Sequence, residues 1–363
     1  MAGERIISAD SHVAIRDEAV LAFLPAKHHE EFRRCRAELA AAYAKRARGK
    51  AGPANTAGTN PSQEARWKAA GRRGEWDPVA RLADMDLDGV EAEVLYCEVG
   101  AGASFFGLRD GGREAAFQAF SNAALDFASR DPKRLLPVYP VPVVEVDEGV
   151  REVERLAAAG ARALMVPLYP TDLGLAPYWD RRYDPLWSLI QETGIPISQH
   201  VNSNSRLMEV LAIDPTPARG IFQSLPPLYM SESIASWIVS GTLARFPGLR
   251  VVFVEAGLGW LPFFLDRLDR MYRRHGWSQM DMLAEKPSFY WHRQMAATFE
   301  EDEFGVENRH RLGVDNLLWA TDYPHPDSTW PESQKVLETH LRGVPVEEAR
   351  QIIGGNAARL YRL

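Results

Sequence analysis

Residues 185–200, PLWSLIQETGIPISQH, hold one complete structural unit. Apolar residues recur at helical spacing from Pro185 to Thr193, and Pro185 suits a first helical turn. Gly194 and Pro196 then stop the helix, and the apolar run Ile195–His200 has strand character. The unit ends on a histidine. The same alternation runs along the chain. Further strand candidates are Arg5–Asp10, Ala92–Cys97, Leu135–Val141, Ala161–Val166, Arg250–Ala256, Gln294–Phe299 and Asn316–Thr321, the seventh in chain order being the weakest. Helical periodicity fills Glu114–Ser129, Gly149–Ala159 and Ser233–Phe246. Near-continuous apolar strands are buried on both faces, as in a parallel sheet covered by helices. Eight of them alternating with helices predict an α/β fold: one distorted (β/α)8 TIM barrel across residues 1–363, with insertions after strands one and five.

The 363 residues carry 42 Lys and Arg against 49 Asp and Glu, a formal charge of -7, and 46% are hydrophobic. That composition excludes a disordered chain, and the mildly acidic balance argues against nucleic acid as a partner. Two cysteines, Cys35 and Cys97, do not make a disulfide framework and fit a cytoplasmic protein. The longest apolar stretch, Ala256–Leu265, is about ten residues and too short for a membrane span, and no secretory signal is visible. Residues 13–76 hold a charged helical stretch and the soft patch Gly49–Gln63, which reads as a mobile lid segment. Residues 202–231, rich in proline, read as a lid or a homodimer contact.

Catalytic groups of such barrels sit at the C-terminal strand ends. Those ends carry Asp10 and His12, Cys97 and Glu98, Pro167, His200, Glu255, and Asp322 with His325. Taken alone, Asp10-Ser11-His12 is more often a helix cap and a surface histidine, and a lone His200 or Asp322 is more often structural. Together, a D-x-H pair, a histidine and an aspartate on strands one, five and eight can surround one cation. Two imidazoles with two carboxylates suit Zn, Mn or Fe better than Ca or Mg.

Asp10-Ser11-His12, the Ile195–His200 strand, Phe253–Trp260 (FVEAGLGW) and Ala320–His325 (ATDYPH) resemble the amidohydrolase-related family, in the branch that includes aminocarboxymuconate-semialdehyde decarboxylase. The resemblance implies a distorted barrel with a single catalytic metal held by Asp10, His12, His200 and Asp322. Two positions depart from the family. Its decarboxylases usually carry a histidine where this chain has Glu255, and begin with H-x-H or E-x-H, of which Asp10 is a shorter version. The end of strand four, Leu164–Pro167, offers no lysine to bridge two metals, so one divalent ion is expected.

The leading expectation is metal-dependent hydrolysis of an amide, ester or thioester of a bulky or aromatic acid. A bound ion lowers the pKa of its water from about 15.7 to about 7. Asp322 would move the proton, Glu255 would act as a second acid/base or be structural, and His325 would polarise the substrate or serve the loop. The alternative is non-oxidative decarboxylation of an aromatic or unsaturated acid, with Arg293 anchoring the carboxylate. A non-catalytic scaffold and a Cys97 nucleophile are further readings, both weakened by the clustered polar strand ends and by the lack of a neighbouring histidine. Trp67, Trp76, Phe105, Phe106, Tyr229, Trp260 and Trp330 follow strand ends or lie in loops. Of these, Trp76, Phe105, Phe106 and Trp260 are taken, with Arg293, as the substrate-binding set for a small molecule.

Overall fold

The computed structural model describes residues 4–48, 72–97, 105, 107–109, 111–201, 224–279, 283–325 and 328–363. The soft patch Gly49–Gln63, Trp67, Glu98, Phe106 and most of the second insertion lie outside the described residues. Eight parallel strands, β1 (Ile7–Val13), β2 (Ala92–Cys97), β3 (Leu135–Pro140), β4 (Leu164–Met165), β5 (Ile197–His200), β6 (Val251–Val254), β7 (Met295–Phe299) and β8 (Leu317–Trp319), pair in chain order. The residues after β8 bond back to β1: Thr321 N donates to Ser8 Oγ at 2.9 Å, Asp322 N to Asp10 O at 3.1 Å and His12 N to Tyr323 O at 2.6 Å. These bonds join the first and last strands into a (β/α)8 barrel.

Side-chain alternation sorts the strands into two layers. Ala92, Val94 and Tyr96 of β2 fill the barrel with Val138, Met165, Val254 and Leu318. Leu95 and Cys97 face the helices, where Leu164, Ile197 and Phe253 meet Trp187, Ile190 and Trp237. Cys97 is therefore a core side chain, 1% exposed. The helix Asn356–Tyr361 covers the N-terminal mouth through Ala357 and Tyr361.

Local chemistry sets the helix ends. Asp77 accepts from Val79 N and Ala80 N to start Pro78–Asp88, which stops at Gly89 in the left-handed region. Asp184–Thr193 stops at Gly194, φ 65°, as its sequence predicts. One helix differs from expectation. Instead of running Ser233–Phe246, it spans Pro226–Val239, because Pro226 and Pro227 fit its first turn, and Gly241 at φ 73° separates it from Thr242–Arg245. No described helix is long and apolar enough to cross a membrane.

Asp302 ties the loops after β6 and β7 together. It accepts from Gly305 N at 2.7 Å as a helix cap, and from Leu258 N and Gly259 N at 2.6 and 2.8 Å. Asp302→Ala is expected to cost about 2–3 kcal/mol, a lost cap plus unsatisfied N–H groups, read from the midpoint of urea unfolding at unchanged m-value.

Candidate metal centre

The centre starts with an irregularity in β1. Ser8 pairs with Glu93 and Ser11 with Leu95, so β1 uses one residue more than β2 over the same length. Both Ala9 and Asp10 then stand opposite Val94, and His12, opposite Tyr96, regains the inward phase. The bulge lets Asp10 and His12 share the barrel interior with Ala9. β1 continues through both residues to Val13, so the pair lies within the strand rather than at its end as the sequence suggests.

His200 closes β5. Its Nδ1 donates to Val201 O at 2.9 Å, which leaves Nε2 aimed inward. Gln199 beside it accepts from Ser233 Oγ at 2.6 Å and Trp237 Nε1 at 2.8 Å, locking the strand to the outer helix. Glu255 and Asp322 follow β6 and β8 at φ 54° and 56°, and apart from Arg362 they are the only non-glycine residues with positive φ among those described. That backbone is costly for a side-chain-bearing residue and is held here by specific bonds, such as Glu255 N to Thr298 Oγ1 at 2.8 Å.

These elements bring six predicted residues together. Asp10 Oδ1 lies 3.7 Å from both His12 Nε2 and His200 Nε2. Glu255 Oε1 lies 3.4 Å from the same two nitrogens. His12 Nε2 is 3.1 Å from Asp322 Oδ1, and His325 Nδ1 is 2.8 Å from that oxygen. Asp10, His12, His200 and Glu255 have ligand atoms within 4.8 Å of one another, as do His12, Glu255, Asp322 and His325. His325 stacks on His12 and is 44% exposed at the rim.

The donor set fits a divalent ion on a direct observation. Among the described residues, both Asp10 oxygens, His12 Nε2, His200 Nε2 and Glu255 Oε1 are buried without a hydrogen-bond partner. Converging buried donors in that state are costly unless a cation joins them. The electrostatics agree, because the converging carboxylates make the centre a place that favours positive charge. Burial, aided by nearby His325, pushes His12 down to about 4. Burial also opposes charge on His200 and His325, but the adjoining carboxylates hold them up to about 9 and about 11. Burial raises Asp10, while the imidazoles, chiefly His200, outweigh it and draw Glu255 well down.

One group was missed. Glu300 directly follows β7, with Oε1 buried and unpartnered among the described residues, and burial together with Asp322 and Glu255 pushes its carboxyl well up. Applying the strand-end rule to the weakest strand would have found it.

The expected substrate-binding residues divide. Trp76 lies just past β1, where Glu75 O accepts from Ala14 N, and its ring is covered by the Arg16 guanidinium. Trp260 lies five residues beyond Glu255, its Nε1 donating to Ala256 O at 2.8 Å. Phe105 is instead a core ring against Phe32, Phe117 and Phe120. Trp330 packs on Tyr323 and donates to Asp84 O. Arg293 precedes β7, and so stands at the N-terminal end of the barrel, opposite the centre, where it cannot anchor a substrate carboxylate.

Three solved structures similar over the whole chain share this fold. An amidohydrolase from Mycobacterium avium subsp. paratuberculosis K-10 is 20% identical with a TM-score of 0.76, the match covering 99% of this chain and 100% of that one. The 5-carboxyvanillate decarboxylase of Sphingomonas paucimobilis is 21% identical, TM-score 0.72, over 99% and 100%. The 5-carboxyvanillate decarboxylase of Novosphingobium aromaticivorans, complexed with manganese and 4-hydroxy-3-methoxy-5-nitrobenzoic acid, is 15% identical, TM-score 0.72, over 99% and 97%. The amidohydrolase family model matches residues 10–363, from the first predicted ligand to the last residue. With β1, β5, β6 and β8 delivering carboxylates and imidazoles to one point, this chain belongs to the amidohydrolase family.

Proposed function

We propose that this enzyme is a metal-dependent carboxy-lyase that removes a carboxylate from a hydroxylated aromatic acid without oxidation. The observation that carries this reading is whole-length likeness to two decarboxylases of such acids, in a chain whose strand ends gather the donors for one ion. It reverses the order favoured by sequence, which put hydrolysis first. Asp10, His12, His200 and Asp322 would hold the ion. A divalent cation there supplies Lewis acidity, neutralising a carboxylate and a neighbouring oxygen or acidifying a water. In decarboxylation the bond from ring carbon to carboxyl carbon breaks, CO2 leaves, and the electron pair left on the ring carbon takes a proton. The Asp322–His325 pair, 2.8 Å apart at the rim, is the group placed to carry that proton. Trp76 and Trp260 at the same end offer apolar faces for a ring.

Hydrolysis remains the second reading because of Glu255, a carboxylate 3.4 Å from both imidazoles and placed to orient a water. The two are separated by incubating manganese-loaded protein in D2O with ring-hydroxylated benzoates and, separately, with aryl esters, amides and lactones. Decarboxylation is expected to give one deuterium at the vacated ring position per CO2, with Asp322→Asn slower by about 100- to 10,000-fold. Acid release from the second panel with no CO2 from the first would replace the proposal by hydrolysis.

A further inference from the structure

We propose that the cavity at the N-terminal end of the barrel, opposite the metal centre, is a binding site for a small phosphate-bearing anion. The cavity has a volume of about 440 Å³, within the range of small-molecule sites, and lies between the starts of β6, β7 and β8 and the helix Asn356–Tyr361. Arg250, Arg293, Arg359, Arg362 and His292 line it, with Asp315 as the one carboxylate among the described residues.

Arginines at this end of a barrel have an ordinary use, since helices end there and present unpaired carbonyls. Two of the four are used in that way, and a third is paired with a carboxylate. Arg362 Nη2 donates to Thr193 O at 2.9 Å, and Arg359 Nη2 to Asp315 Oδ1 at 3.1 Å. Arg293 Nη2 donates to Leu243 O at 2.9 Å, and its guanidinium lies over the Phe289 and Tyr290 rings. Arg250 is different. It is half-buried, its hydrogen bond among the described residues is a 3.5 Å approach to Pro247 O, and no described carboxylate comes within 4.0 Å of it or of Arg293. Burial and the proximity of Arg293 both lower its pKa, the mark of a cation held in a poor place for charge.

A half-buried guanidinium near a second one, opening on a cavity, is stabilised by an anion that accepts from both. Phosphate matches that donor geometry, because the planar Arg250 fork can offer two parallel N–H bonds to its oxygens, while Arg293, whose Nε and Nη2 donate to Gln294 Oε1 and Leu243 O, adds Nη1. The site is independent of the metal centre and of the reaction proposed for it.

The test is thermal unfolding and titration calorimetry with inorganic phosphate and with ribose 5-phosphate, against sodium chloride at matched ionic strength. Holoenzyme and chelator-treated protein are run in parallel. A saturable rise in Tm with one or both phosphates is expected in both forms, which separates free phosphate from a phosphorylated organic compound and excludes binding at the metal. Arg250→Gln should weaken the affinity at least tenfold while keeping metal content and turnover. Without phosphate and at low salt it should melt no lower than wild type, because it removes one of two neighbouring cations. Arg250→Lys, which keeps the charge but loses the fork, should bind with intermediate affinity. No saturable rise beyond chloride, an unchanged affinity in Arg250→Gln, or binding confined to the metal-loaded form would each overturn the proposal.

Discussion

His200→Ala is expected to lose its divalent ion and with it all turnover. The side chain is 4% exposed, with Nδ1 committed to Val201 O, so Nε2 has no role left except toward Asp10, Glu255 and an ion. Losing only a partner behind a ligand typically weakens metal binding 10–100-fold. Loss of the ligand itself should therefore exceed about a hundredfold and leave the variant empty after dialysis. Elemental analysis should find roughly one ion per chain in wild type, as for a mononuclear catalytic site. A second readout does not depend on knowing the substrate. Metal at a thousandfold over its Kd stabilises the folded state by about 4 kcal/mol, so adding manganese should raise the Tm of wild type and leave His200→Ala unmoved. A variant that keeps a full ion, or keeps its response to manganese, would move the centre elsewhere.

How much of this was legible in the sequence depends on which feature carried the information. The strand–helix alternation is a burial pattern, and burial is local enough to read from IPISQH or AEVLYC directly. The spacing of Asp10 and His12 also pointed to a shared face. What makes Asp10 face inward together with Ala9 is the extra residue in β1, and a bulge leaves no periodic trace when every residue of the strand is buried. Arg293 was misplaced for a topological reason. It adjoins a strand, but at its beginning, and the two ends of a parallel strand open on opposite faces of the barrel. Phe105 was misread because an aromatic ring after a strand looks the same whether it lines a pocket or, as here, meets Phe32, Phe117 and Phe120. Glu93 was passed over although it stands in an apolar strand, where a carboxylate needs a partner that sequence alone does not supply.

That partner is Arg81, and removing it should produce the largest loss of stability in the molecule outside the metal centre. Arg81 is fully buried, and its Nε donates to Glu93 Oε2 while Nη1 donates to His12 O at 2.7 Å. Its guanidinium also lies 4.5 Å from the centre of the Tyr323 ring, so one side chain braces both the strand of His12 and the turn after Asp322. Arg81→Met leaves the Glu93 carboxylate buried without its counter-ion, expected to cost about 3–5 kcal/mol in urea unfolding. The pH dependence identifies the cause. Burial already raises Glu93 above the ordinary glutamate value, and Arg81 is the group that opposes this most. Without Arg81 the folded-state pKa climbs further, so the native state keeps a proton that the unfolded chain releases. Stability of the variant is then greatest below the unfolded value of about 4.3 and falls as pH rises toward the folded one. Its deficit against wild type should be larger at pH 8 than at pH 5. Adding Glu93→Leu should recover most of the loss and remove the pH dependence, because the unpaired charge is gone. An equal deficit at both pH values, or no recovery in the double variant, would assign the cost to lost packing on Tyr323 and the unpaired His12 carbonyl instead of to the charge.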